Sequence, residues 1–497
     1  MKRDDVFRRL TDPLHILLFI FAVLVVITAN GRMGNDEGIW SYVGRIWVEE
    51  GIPPYVGAVE NKTPGIFGLY AVSTVLFGVN VYFVRALGII SLLLTAWTVY
   101  QIGRALHGHL AGVFGMVVFG LTMTWHSLDG HYPGQTETFM VLFSTLAFSF
   151  IIQGTPSRHW KRWALSAGLS MGLAIAFKQI ALTTALALGG FFLLYARPAL
   201  TRRKRLGGIV LIGLGIGLSS LLSLVPLWLS GVSFNEYLRG AWLLLLNQGS
   251  FSSIQGHMDG FLGVWGNSRM VLFYPCLALL LFRKELFRNG YFVGLLVWLF
   301  FDFIGVNSSG IYYGHQIKQL VPPLSILTGI LLGDLLAKPG QEKDFAIRHV
   351  PTAIFAIVLM MFPYRSGLRN IYLNTLPVPD VHKEIGHWLK DHTTRQDHVY
   401  IAGSEGNPIL SFSERVSSSR YFNSLFVTTE TERTRLLSDL AEKPPAYIVT
   451  PRSADERGEL TGTASALIEP VLKDYRFEQS LHGWAIFKRK KPLVPAE

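Results

Sequence analysis

Apolar runs fall near residues 14–30, 64–79, 84–103, 109–126, 138–153, 163–177, 181–196, 207–230, 270–282, 290–306, 317–336 and 348–363. Most come close to the ~20 residues a helix needs to cross a bilayer. The pattern predicts membrane-crossing helices joined by short polar loops. One run stands apart. Residues 64–79, PGIFGLYAVSTVLFGV, give a helix of only ~24 Å, against a hydrocarbon core ~30 Å thick. Pro64 and Gly65 shorten it further. From about residue 366 the pattern turns polar and mixed. VHKEIGHWLKDH, RTRLLSDLAEK and SALIEPVLKDY carry helical spacing, while HVYIAG, PAYIVT and WAIFKRK read as strands. Alternating strands and helices predict an α/β domain there. The chain divides accordingly into a transmembrane module, 1–365, and an α/β domain, 366–497.

Composition agrees. The 497 residues are 50% hydrophobic and 16% charged, whereas a soluble domain carries roughly 25% charged residues. The formal charge of +11 points to cytoplasmic loops and not to nucleic acid. A single cysteine, Cys276, excludes an internal disulfide framework and a cysteine-rich metal site. The basic start, MKRDDVFRRL, precedes a run with no small-residue cleavage site, so 14–30 is expected to be a retained first span.

Charge also sets the topology. If 64–79 lies at the interface without crossing, the basic clusters at 2–9, 104, 158–162, 197–205, 283–288 and 338–348 all fall on one side. If it crosses, the later clusters change sides. We therefore expect eleven spans, an inside N-terminus, and outside loops at 31–83, 127–137, 231–269 and 307–316. The C-terminal domain then lies outside as well.

The first outside loop, GRMGNDEGIWSYVGRIWVEEG, places Asp36 and Glu37 side by side just past a span. Trp40, Val43 and Trp47 recur at helical spacing, with Ser41, Arg45 and Glu49 on the other side. That predicts a short helix in the membrane interface, with Trp at headgroup depth. Lys62 follows in NKTPG, and Arg85 begins the next span. Glu137 stands at the outside start of a later span, Lys178 near the outside end of another, and Tyr312, Tyr313 and His315 in YYGHQIKQLVPP. Each has an ordinary explanation. Asp36 or Glu137 could cap a helix. Lys62, Arg85 and Lys178 could snorkel to headgroups, and His315 could be structural. Ionisable groups at membrane depth are costly, so their gathering on one face suggests function. Carboxylates with cations at an interface suit a lipid phosphate: the cations hold the phosphate and a carboxylate takes a proton from an attacking hydroxyl.

NDEGIW, NKTPG, FVRALG, TETF and YYGHQIKQLVPP together resemble the membrane-embedded C-type glycosyltransferases. More narrowly they are similar to the bacterial branch related to protein O-mannosyltransferases and the lipid A aminoarabinose transferase. The resemblance covers residues 1 to about 365 in layout, and the C-terminal domain resembles tails on bacterial members. It implies transfer of a sugar from a polyprenyl-phosphate carrier to a lipid, polysaccharide or protein acceptor. The place would be the outer, periplasmic face of a bacterial inner membrane, among membrane lipids and without nucleic acid. It maps the catalytic acid to Asp36, with Glu37 and Glu137 as further acids. It maps Lys62 and Arg85 to donor binding; Tyr312, Tyr313, His315 and Lys178 join them as substrate-binding candidates by their position on the same face. Thr63 stands where relatives commonly carry proline. A divalent metal, held by Asp36 and Glu137, is left open. One carboxylate suffices for an inverting displacement, with Asp36 as base. The alternatives are a transporter or lipid flippase, and a non-catalytic protein that binds polyprenyl lipid.

Overall fold

The computed structural model describes residues 13–125, 133–244, 254–265, 273–308, 310, 312–336, 379–451 and 463–490. It divides into two compact units. The first lies within residues 1–31, 85–224 and 245–377; the second within 32–84, 225–244 and 378–497.

The first unit is a helical bundle. Ten of the eleven expected spans are helices: Pro13–Ala29, Tyr82–His107, His109–Trp125, Thr136–Gly154, Trp160–Phe177, Ala181–Tyr195, Arg202–Leu229, Phe273–Leu281, Gly290–Asn307 and Val321–Leu336. The eleventh, 348–363, lies outside the described residues. Four are long and apolar enough to cross a bilayer by themselves: Tyr82–His107, Thr136–Gly154, Arg202–Leu229 and Gly290–Asn307. The chain is a multi-pass membrane protein. Small residues let backbones approach, as membrane helices require. A Cβ on Gly103 would stand 2.9 Å from the Cα of Gly112. Phe148 stacks on Trp298 with ring centroids 3.6 Å apart. The expected loop 231–269 also holds a helix, Ile254–Trp265.

The second unit is built on a five-stranded mixed sheet, ordered β2-β1-β3-β5-β4. The strands are β1 His398–Ile401, β2 Val416–Ser417, β3 Tyr447–Pro451, β4 Tyr475–Leu481 and β5 Trp484–Arg489. β1 runs parallel to β2 and β3, while β5 is antiparallel to β3 and β4. Tyr400, Leu436, Leu440, Ile448, Ile468 and Tyr475 form its core. Asp380 caps the helix Val381–Asp391, and Thr429 with Glu432 forms a capping box on Glu430–Glu442.

This unit also takes in the first loop, so its boundary differs from a cut at residue 365. The helix Asn35–Glu49 is enclosed from Glu37 to Ile46. On one side it packs on Pro64–Phe77: Gly44 meets Tyr70 and Ala71, and the Trp40 and Tyr70 rings lie 6.2 Å apart. Its polar side, expected to face away from the bilayer, is covered by the segment 407–417. Trp40 is thus a core residue, not a headgroup anchor, because protein covers both faces. The helix Pro64–Phe77 has 14 residues, about 21 Å at ~1.5 Å per residue.

Candidate active site

The helix start at Asn35 separates the two adjacent acids. Its N-cap is Gly34, which has no side chain to offer. Glu37 supplies the missing acceptor: its Oε2 takes a hydrogen bond from the Gly34 N–H at 2.8 Å, and the side chain is buried. That is the reciprocal half of a capping box. Asp36, in the same turn, is only partly buried. Its carboxylate has no hydrogen-bond or ion-pair partner among the described residues. The N-cap role that was the ordinary alternative for Asp36 therefore belongs to Gly34 and Glu37.

Lys62 lies in the same unit. Its Nζ donates to Asn61 Oδ1 at 2.7 Å and stands 3.9 Å from Glu60 Oε1. Its side chain is 22% exposed, whereas Glu60 is buried. Tyr55 holds the loop: its hydroxyl donates to the Lys62 carbonyl at 2.6 Å, and its own carbonyl accepts from Arg420 Nη2 at 2.7 Å. Burial pushes the Glu60 carboxyl above the usual carboxylate range. Lys62 and the Asn61 N–H pull it down, and Asp36 adds to the rise. The folded state thus holds the Glu60 proton more tightly than the unfolded chain. Its contribution to stability is full below the unfolded value near 4.5 and is lost as pH rises through the folded one. Glu60→Gln should remove this dependence. Melting scans across that interval should show the variant gaining on the parent as pH rises; a constant difference would refute it.

The first unit gathers a second cluster. Glu137 sits in the first turn of Thr136–Gly154, where an acid complements the helix dipole. Lys178 is the C-cap of Trp160–Phe177, which runs back antiparallel, so the base arrives beside the acid. The two form an ion pair through Glu137 Oε1. Glu137 Oε2 accepts from the Thr136 hydroxyl at 2.9 Å, and His315 Nε2 lies 3.5 Å from Oε1. Lys318, one turn of the 3₁₀ helix Gly314–Leu320 beyond His315, donates to Gln135 Oε1 at 2.9 Å. Gln319 of the same turn donates to Asp302 Oδ1 at 2.9 Å, as does Thr184 at 2.6 Å. Asp302 thereby fixes the turn that carries His315 and Lys318.

The other expected residues make contacts of their own. Arg85 is buried, and its Nη1 donates to the carbonyls of Ala29 at 2.8 Å and Gly31 at 2.7 Å, the end of the first helix. This is how basic side chains close helix C-termini. Tyr313 is 46% exposed and stacks on His315 at 5.5 Å. Tyr312 adopts φ 57° and packs edge-on against Phe261 at 6.1 Å.

Sequence reasoning missed Glu60, Gln135, Lys318 and Asp302. Asp302 had a visible signal, a lone acid inside WLFFDFIGV. Among the described residues no three His, Cys, Asp or Glu side chains converge, and Glu137 pairs with Lys178 and accepts from Thr136.

Residues 61–222 match the family model described as dolichyl-phosphate-mannose-protein mannosyltransferase. No curated protein matches the chain by sequence. Among solved structures the chain is similar to ArnT from Cupriavidus metallidurans bound to undecaprenyl phosphate, at 14% identity. That likeness covers 97% of this chain and 99% of that one, with a TM-score of 0.63. It is also similar to the oligosaccharyltransferase AglB from Archaeoglobus fulgidus in complex with an inhibitory peptide and a dolichol-phosphate. There the identity is 11% over 88% of this chain and 69% of that one, with a TM-score of 0.56. The arabinofuranosyltransferase AftD from Mycobacteria gives 13% identity over 96% and 41%, with a TM-score of 0.53. At these identities the likeness is one of fold.

Proposed function

We infer that this C-type membrane glycosyltransferase, of the polyprenyl-phosphate-dependent kind, moves its sugar in a single inverting displacement with Asp36 as the base. The acceptor hydroxyl attacks the anomeric carbon and gives its proton to Asp36. The bond from that carbon to the phosphate oxygen breaks, and polyprenyl phosphate leaves with the electron pair. The reaction is assigned to the outer face of a bacterial inner membrane.

One observation carries this reading. Of two adjacent acids, Glu37 is consumed by the helix start, while Asp36 is partly buried without a partner. Both carboxylates keep lone pairs, but Glu37 is buried and held on the Gly34 amide, whereas Asp36 is partly exposed and its carboxylate makes no hydrogen bond among the described residues. No repeat of the kind that marks transporters accompanies these groups in the sequence.

Cations serve the leaving phosphate. Lys62, partly exposed beside Asn61, is assigned to it. In the first unit Lys178 is paired with Glu137, and Lys318 donates to Gln135.

The direct test uses purified protein in a bilayer with a polyprenyl-phosphate sugar and envelope fractions as acceptor. Release of polyprenyl phosphate coupled to a glycosylated product supports the reading. Lipid movement across the bilayer with the donor intact would favour a flippase. Lys62→Ala should then lower kcat/KM for donor about tenfold or more, since a hydrogen bond to a charged group contributes roughly 1.5–3 kcal/mol. A loss confined to protein yield would leave Lys62 as a headgroup anchor.

A further inference from the structure

The turn that carries Asp36 is gripped by a distant part of the chain within the same unit. Asn35 Oδ1 accepts from Asn407 Nδ2 at 2.9 Å, and the same amide donates to the Ser404 carbonyl at 2.6 Å. Gly38 lies directly on the backbone of the next element: a Cβ there would stand 2.5 Å from Pro408 N and 2.8 Å from the Asn407 carbonyl carbon. Further along, Ser411 Oγ donates to Ser41 Oγ at 2.7 Å. Tyr42 accepts from the Ser417 N–H at 3.0 Å, and Arg45 donates to the Arg415 carbonyl at 2.6 Å.

Residues 35, 38, 41, 42 and 45 form one stripe of the helix. The helix Asn407–Ser413 and the residues just after it cover that stripe along its length. Asp36 is outside the stripe. Its two chain neighbours are fixed, one by Asn407 and one by Gly34, while its own carboxylate is left to its task.

We propose that Asn407 is a positioning residue for Asp36, and that the C-terminal domain acts in transfer by holding the first turn of the catalytic helix through the Asn407–Asn35 hydrogen bond and the Gly38–Pro408 contact. This rests on the reading of Asp36 as the base. A base works within about 2.6–3.2 Å of the proton it takes. A misplacement of about 1 Å costs on the order of 10²-fold in rate. Asn407 has two donors to spend, and it spends one on its own turn and one on the neighbour of Asp36.

The test compares Asn407→Ala, Asn35→Ala, the double variant and Asn35→Asp, in the full chain in a bilayer with a polyprenyl-phosphate sugar. Each alanine variant should lose about 10- to 100-fold in kcat with KM for donor held. The double variant should be no worse than either single one, because one hydrogen bond is removed in all three. Asn35→Asp keeps an acceptor at that place and should recover most of the rate. If Asn407→Ala does not fold, Asn35→Ala reads the same bond from its partly exposed end. Additive losses, or a lowered melting temperature with kcat intact in the folded protein, would overturn the proposal. Asp36→Asn runs beside them. If it is inactive while Asn407→Ala turns over normally, positioning fails and the base stands. If Asp36→Asn itself turns over normally, the base reading fails, and this proposal with it.

Discussion

Asp36→Asn should lower the rate of sugar transfer by about 10²–10⁴, the span a positioned general base supplies. The amide keeps the shape and one acceptor oxygen but cannot take a proton. Capping cannot produce such a loss, for two reasons. Gly34 is the N-cap, and its N–H is satisfied by Glu37. Asn, moreover, caps about as well as Asp. Stability should therefore stay within about 0.5 kcal/mol, as for a substitution that breaks no contact. The contrast is Glu37→Gln, which keeps the acceptor for Gly34 and should leave most of the activity. Initial rates of polyprenyl phosphate release, beside melting curves on the same preparations, decide the matter. Turnover within threefold of the parent for Asp36→Asn would remove it as the base. Inactivity of Glu37→Gln with Asp36→Asn active would reverse the assignment.

Glu137→Ala should be the most destabilising single change among the residues discussed. It leaves Lys178, whose side chain is 12% exposed, without the carboxylate that faces it, and it removes a partner of Thr136 and of His315. Breaking a buried ion pair from one side costs about 3–5 kcal/mol. Removing both charges, in Glu137→Gln with Lys178→Met, should recover a large part of that loss, because Lys178 is then no longer a charge left facing an uncharged side chain. Unfolding in detergent, followed by helical signal against denaturant, gives the comparison. A single-variant cost below 1 kcal/mol would mean that solvent or lipid headgroups reach the pair, and that the helix ends are not sealed there. A donor-phosphate role for the cluster reads out separately, as a rise in KM for donor in Lys178→Met.

Much of the scaffold was legible because its signals are local. The runs at 84–103, 138–153 and 290–306 correspond to described helices, and HVYI, YIVT and WAIFKR to strands. The helix Asn407–Ser413 was not legible. It has seven residues, too few for a period to emerge. Nor was strand β4, whose RFEQS is mostly exposed at a sheet edge and carries little apolar alternation. The first loop shows the limit best. Its Trp and Val spacing marks a helix, but a buried Trp40 and an interfacial one look alike in sequence. What decides is the segment 407–417 laid over Ser41 and Arg45, some 370 residues away. In the same way NDE sets two acids side by side without saying which is spent on the Gly34 amide. Nor does the sequence show what Arg85 touches. Its Nη1 is engaged by Ala29 and Gly31, carbonyls that only the folded chain brings to it.

The hydrogen bonds from Ser411 to Ser41 and from Arg45 to Arg415 also set a timetable. Each joins residues 370 positions apart. At about 5–20 residues per second of synthesis, the helix that carries Asp36 emerges roughly 20–70 seconds before the segment that covers it. During that interval Gly38, Ser41, Tyr42 and Arg45 have no cover on that side. Loop closure across such a separation is slow even once both partners exist. A nascent chain can thus have nearly all its hydrophobic spans inserted while its chemistry is still unassembled.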